Sequence, residues 1–142
     1  MQCSEVMTKD PSCSLPTDSV FAAAQLMKSE DVGPIPVVKD KGTRKLEGIV
    51  TDRDLALKVV AEGLDPNNTS VEEVMTTGVV TCAPNDNVDN ALELMQQHHI
   101  RRIPIVDDNE KLVGIISQAD IATRVEQPSK TAEVVEEISR AA

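Results

Sequence analysis

Gly48-Ile49-Val50-Thr51-Asp52-Arg53-Asp54 returns 66 residues later as Gly114-Ile115-Ile116-Ser117-Gln118-Ala119-Asp120. Each copy runs from a glycine through two β-branched residues to a hydroxyl, then reaches an aspartate three positions on. Upstream the likeness continues at an offset of 68. Ile35-Pro36-Val37-Val38 pairs with Ile103-Pro104-Ile105-Val106, and Val6-Met7-Thr8 with Val74-Met75-Thr76. Val6–Asp40 and Val74–Asp108 align without a gap, with 13 identities in 35 positions. The offset changes because the first copy has five residues (Lys41 to Lys45) where the second has three (Asn109 to Lys111). A duplicated unit of this size predicts two halves packed about a pseudo-twofold axis, with paired clefts at their junction.

Each copy reads as the same series of elements. Pro16-Thr17-Asp18-Ser19 and Pro84-Asn85-Asp86-Asn87 are polar turns that end in good helix N-caps. Val20, Ala23, Ala24 and Met27 then form an apolar stripe at helical spacing, matched by Val88, Ala91, Leu92 and Met95. The Ile-Pro run and the run ending Ile49-Val50 or Ile115-Ile116 are two short strands joined by a turn, which makes a hairpin. A last helix starts near Asp52 and near Gln118, the first of these ending at Gly63. Ser70 and Glu73 have the spacing of a capping box. The expected class is α/β (α+β), with two β-α-β-β-α repeats spanning 1–66 and 67–127. The tail, 128–142, carries Val134, Val135 and Ile138 at helical spacing and is expected to form a short amphipathic helix.

Composition narrows the function. The net charge of −10 and the lack of a basic run argue against nucleic-acid or anionic-membrane binding. No apolar run is long enough to span a bilayer, and the N-terminus lacks a secretory pattern, so a cytoplasmic protein is expected. Phe21 is the sole aromatic residue, so the core must be aliphatic and methionine-filled. Cys3, Cys13 and Cys82 lack metal-ligand spacing and read as buried free thiols. His98 and His99 are adjacent on a helix end, point in different directions, and make a poor metal pair. Neither phosphate-binding glycine loop motif is present, and no catalytic triad or dyad can be assembled. A non-enzymatic ligand-binding regulator is expected, without catalytic residues, metal site or obligatory cofactor.

The motifs resemble those of a tandem cystathionine-β-synthase (CBS) domain pair, the Bateman module. The likeness covers about Val6 to Val125 and is closest to stand-alone bacterial CBS pairs, including those of the hypoxic-response type. It implies clefts between the halves that hold AMP, ADP or ATP, or adenosyl compounds such as S-adenosylmethionine, and a role as energy or metabolite sensor.

The residues suit that chemistry. Asp54 and Asp120 at helix starts can each accept two ribose hydroxyls, with Thr51 and Ser117 beside the same ligand. They also suit a purely local role, the hydroxyl as N-cap and the aspartate at the third helical position. Gly48 and Gly114 permit close backbone approach. Arg101 and Arg102 carry forked donors suited to phosphate, where the first copy has Gly33 and Pro34. Arg53 faces Ala119 in the alignment, so the two sites are chemically unequal. By resemblance, the Asp54 cleft gains Arg101 and Arg102, the Asp120 cleft gains Arg53, and Ile35 and Ile103 face the ligand. CBS pairs commonly dimerise. Leu55, Val59, Val60, Ile121 and Val125 are expected to form the dimer face, with a further protein partner downstream. The rival readings are a structural interaction module with empty clefts, and a small hydrolase or redox protein using Cys13 or Cys82.

Overall fold

A computed structural model describes residues 1–124; the C-terminal tail and Val125 lie outside the described residues. The chain divides into two compact units. One is Met1–Pro11 together with the chain from Val80 onward, and the other is Ser12–Val79. The sequence repeats break near Pro66. The packing units break elsewhere, because each repeat's leading segment docks on the other repeat's hairpin.

In the unit Ser12–Val79, Ser19 caps helix α2 (Val20–Glu30) by accepting from the Ala22 amide at 3.1 Å. Val20, Ala23 and Met27 of α2 are buried. Ala24, expected in the same stripe, is exposed, and Leu26 packs on the core instead. Asp31 ends α2 in the left-handed conformation, φ 54°. Strands β2 (Pro34–Val38) and β3 (Leu46–Thr51) pair antiparallel, with Ile35 opposite Val50. Ser14 bridges β2 in parallel at Val37, and Thr76 bridges β3 at Ile49. Helix α3 (Asp52–Leu55) runs into a π-helical turn, Ala56–Val60. Gly63 follows at φ 68°, the left-handed value that suits glycine after a helix. The Ser70–Glu73 capping box is present: the Glu73 carboxylate accepts from the Ser70 amide at 2.6 Å and opens a single 3-10 turn, Val71–Glu73.

The other unit repeats this plan with greater burial. Asn87 caps helix α4 (Val88–His98), whose Val88, Ala91, Leu92 and Met95 are all buried. His98 ends that helix and His99 takes the left-handed cap position. Strands β4 (Arg102–Val106) and β5 (Leu112–Ser117) form the hairpin, with the same register slip that β2 and β3 show. Cys82 bridges β4 at Ile105, and helix α5 (Gln118–Arg124) follows β5. The third strand of this sheet comes from the leading segment. Helix α1 (Cys3–Val6) packs in the core, and strand β1 (Thr8–Lys9) pairs with β5, Thr8 opposite Ile115. Thr8 is thus the counterpart of Thr76.

Apolar burial holds each unit. Each fully buried Val, Leu, Ile or Met contributes about 1.5–3 kcal/mol relative to exposure. Val6, Leu92, Met95, Ile103, Ile105 and Ile116 are each 0% exposed in one core; Ile35, Val37 and Val50 fill the other. Among the described residues no helix is long and apolar enough to cross a membrane.

Candidate functional site

The motif that opened the sequence lies at a strand-to-helix turn in each unit. At the first, the Thr51 hydroxyl accepts from the Asp54 amide at 3.1 Å, and the Asp54 carboxylate accepts from the Thr51 amide at 2.9 Å. At the second, Ser117 Oγ accepts from the Asp120 amide at 3.2 Å, and Asp120 Oδ2 from the Ser117 amide at 3.0 Å. Both are reciprocal capping boxes. The capping role read from sequence is therefore real, and it fixes one carboxylate oxygen of each aspartate at the helix start.

The two copies differ in what surrounds the second oxygen. Asp54 Oδ1 meets the Lys58 ammonium at 3.0 Å, and the same ammonium donates to the Val74 carbonyl at 2.9 Å. Asp120 instead receives the Thr8 hydroxyl at 3.4 Å, a long bond. Asp120 and Ser117 are buried, whereas Asp54 and Thr51 are half-buried. Neither Thr8 nor Lys58 was singled out from sequence. Thr8 carried a signal, since it belongs to the duplicated Val-Met-Thr. Lys58 carried none beyond its spacing of four from Asp54.

The arginines stand beside the second motif within one unit. Arg102 is the register partner of Ser117, and the Arg101 carbonyl accepts from the Gln118 amide at 3.1 Å. Neither guanidinium has a hydrogen-bond or ion-pair partner among the described residues. In the other unit the equivalent carbonyl belongs to Gly33, which accepts from the Asp52 amide at 3.0 Å. A Cβ on Gly33 would come within 3.0 Å of the Asp52 carboxylate. Thus a carboxylate against glycine in one copy becomes Gln118 beside Arg101 in the other. Gln118 Nε2 is buried without a partner among the described residues, a donor that sequence reading missed. Arg53 is exposed, and its guanidinium likewise has no partner among the described residues. Ile35 and Ile103 are 1% and 0% exposed, so their side chains belong to the two cores.

The motif glycines are explained by the chain itself. A Cβ on Gly48 would approach the Thr76 carbonyl at 2.7 Å, and one on Gly114 would collide with the Met7 side chain. The leading segment of the opposite repeat is what approaches closely there. No group of three or more His, Cys, Asp or Glu that could hold a metal occurs among the described residues. Cys3 and Cys82 are buried free thiols, as expected. Cys13 is only half-buried, with Arg44 Nη1 at 3.7 Å from its sulfur.

Two α+β units, each with a hydroxyl-x-x-aspartate turn after its hairpin, define a tandem-repeat module. The chain belongs to the CBS domain family, whose model matches residues 3–61 and 71–127. CBS domain-containing protein YhcV of Bacillus subtilis is 46% identical over 118 residues, 83% of this chain and 81% of that protein. Hypoxic response protein 1 of Mycobacterium tuberculosis is 34% identical over 118 residues, 83% of this chain and 80% of that one. The structure of Hypoxic Response Protein I, solved with two coordinated zinc ions, superposes with a TM-score of 0.80 at 32% identity. That match covers 88% of this chain and 99% of the solved one. The CBS pair of protein MJ0100, in complex with 5′-methylthioadenosine and S-adenosylmethionine, matches with TM-score 0.74 at 30% identity. It covers 86% of this chain and 93% of that one.

Proposed function

We propose that this chain is a non-catalytic regulatory module that binds adenine nucleotides or adenosyl compounds at its two hydroxyl-x-x-aspartate turns and reports their level. The observation that carries this reading is the pair of unpartnered guanidinium groups, Arg101 and Arg102, beside the Ser117–Asp120 turn. Arginines kept for surface ion pairing would have acidic partners; these have none among the described residues. Their forked donors suit phosphate oxygens. Each aspartate holds its helix start with one oxygen, and ribose hydroxyls would replace the present neighbours of the other, Lys58 at Asp54 and Thr8 at Asp120. Lys58 must leave Asp54 for ribose to bind there, and the 47% exposure of its own side chain lets the ammonium swing into water. The similarity to a CBS pair solved with adenosyl ligands supports the same ligand class. Ile35 and Ile103 act in this reading through the backbone and as the floor beneath the site. Arg53 supplies a further cation near the Thr51–Asp54 turn.

The module acts in the cytoplasm as a homodimer that passes ligand state to a protein partner. Supporting the dimer, Leu57, Val60 and Leu64 of the unit Ser12–Val79 are 50%, 77% and 46% exposed.

Isothermal calorimetry with AMP, ADP, ATP and S-adenosylmethionine tests the binding. Micromolar or weaker dissociation constants are expected, on the order of −8 kcal/mol or less favourable. Arg102→Ala should weaken the phosphate-bearing ligands by about 1.5–3 kcal/mol, the scale of a lost charge-assisted hydrogen bond. Its effect on S-adenosylmethionine, which lacks phosphate, should be smaller. No heat and no thermal shift with any of the four would replace this reading with a structural interaction module.

A further inference from the structure

Cys3 lies on helix α1 at the chain start, and Cys82 lies on the edge of the β4–β5 sheet, yet both are buried in one apolar cluster. The approach is held by backbone. The Cys3 amide donates to the Asp86 carbonyl at 2.9 Å, the Ser4 amide to the Pro84 carbonyl at 2.9 Å, and Gln2 bridges Asn87. We infer that Cys3 and Cys82 are a redox pair whose oxidation forms a disulfide that staples the leading segment to its unit. This rests on the shared burial of the two thiols and the backbone bonds that hold their segments together, and not on the ligand reading above.

The duplication supplies an internal control. The residues equivalent to Cys3 and Cys82 in the other unit are Val71 and Ser14. Their backbone setting is the same: the Val71 amide donates to the Asp18 carbonyl at 2.8 Å, and Ser14 bridges Val37 as Cys82 bridges Ile105. Both are buried, at 0% and 3%. A valine and a serine therefore meet the packing demand of these two positions. Two thiols buried in one cluster are not required by the fold. Both sulfurs lie at the start of α4, the Cys3 thiol 3.9 Å from the Asn87 carbonyl and the Cys82 sulfur 4.0 Å from Asn90 Nδ2. Each thiol shifts the other: Cys3 draws Cys82 below the ordinary thiol value, while Cys82 and burial push Cys3 up.

The chemistry balances with a small-molecule disulfide such as oxidised glutathione as oxidant. The Cys82 thiolate attacks one glutathione sulfur, forming a mixed disulfide and releasing one glutathione. Cys3, deprotonated, then attacks the Cys82 sulfur and releases the second glutathione. Two protein thiols are oxidised, one small disulfide is reduced to two thiols, and the two protons pass to the leaving groups. Access comes through local opening of helix α1, which at four residues is a single turn held by few backbone bonds of its own. The bond closes a loop spanning most of the chain. It clamps the segment that carries Met7 against Gly114 and Thr8 against Asp120.

Full-length reduced protein is incubated with oxidised glutathione, unfolded under acid quench and mapped without reduction. A Cys3–Cys82 cross-linked peptide is expected, with Cys13 as the one remaining titratable thiol. The oxidised protein should melt about 5–10 °C higher, and dithiothreitol should reverse the shift. The double variant C3V/C82S copies the residues that already serve at Val71 and Ser14. It should fold, melt near the reduced wild type and show no oxidative shift. Disulfides through Cys13, stable glutathione adducts without the cross-link, or three free thiols after prolonged exposure would each overturn the pair. An oxidative shift that persists in C3V/C82S would do the same.

Discussion

Gly48 and Gly114 occupy equivalent motif positions but meet different neighbours, so alanine should be tolerated unequally. At Gly48 the added methyl meets the Thr76 carbonyl, which is anchored because it accepts from the Ile49 amide at 2.9 Å. Backbone must shift, and Gly48→Ala should cost about 1–3 kcal/mol in urea unfolding, the scale of an overpacked core. At Gly114 the obstruction is the Met7 side chain, which has three rotatable bonds and can turn aside. Gly114→Ala should cost less, and equal losses would show that Met7 is as rigid as a carbonyl. Asp40 gives a pH-dependent case. Its carboxylate accepts from the Thr43 amide at 2.6 Å and the Thr43 hydroxyl at 3.0 Å, and these bonds hold it below its ordinary value of 3.8. A carboxylate with a lowered folded value stabilises fully above the unfolded value and loses that contribution as pH falls through the folded one. The β2–β3 turn should therefore stay intact at pH 5 and loosen only below 3.8. Following the Thr43 amide by NMR during acid titration checks this, and a midpoint above 3.8 would contradict it. At this scale the capping boxes were legible from spacing alone, because a hydroxyl and an acid three residues apart at a strand end have few other local uses. Lys58 and Gln118 were not, because spacing does not say which polar atom is left facing a site.

The elements were legible wherever burial follows a period. Helix α4 buries the full expected stripe, and both Ile-Pro runs form the expected hairpins. Ala24 broke the pattern: its counterpart Leu92 is fully buried, whereas Ala24 is exposed. The exchange of leading segments was also illegible. The duplication pairs Val6-Met7-Thr8 with Val74-Met75-Thr76 but cannot say that Thr8 pairs with Ile115 rather than with its own repeat's Ile49. That pairing makes a local prediction. Val6 is 0% exposed in the core of the unit that begins at Met1, so Val6→Ala removes two buried carbons. The cost should be about 2 kcal/mol, from lost transfer and cavity terms together. Native-state hydrogen exchange should then accelerate through β1, β4 and β5, with the unit Ser12–Val79 least affected. If acceleration instead concentrated in β2 and β3, Val6 would be supporting its own sequence repeat and the exchange would be wrong.

For the whole molecule, the residues expected at a dimer face divide sharply. Val59 and Ile121 are 2% and 0% exposed and complete the two cores, while Leu55 packs half-buried against one. Val125 lies outside the described residues. Only Val60, at 77%, is a free apolar surface, and Leu57 and Leu64 were not anticipated beside it in sequence. Helical spacing failed here because the last helix passes into a π turn at Ala56–Val60, which rotates successive side chains away from a 3.6 period. The proposed homodimer then rests on Leu57, Val60 and Leu64, and Val60 is the position to test. A charge buried without a partner is costly, so Val60→Asp should disrupt association while leaving each monomer folded, since Val60 belongs to neither core. Light scattering should give wild type about twice the chain mass of 15.3 kDa, and Val60→Asp a value near that chain mass. Nucleotide should tighten the wild-type dimer if ligand and assembly are coupled, because a ligand shifts an equilibrium only by its differential affinity for the two states. A wild-type mass near 15.3 kDa at high concentration, with and without AMP, would leave a monomeric module. A dimer that survives Val60→Asp unchanged would move the interface to another surface.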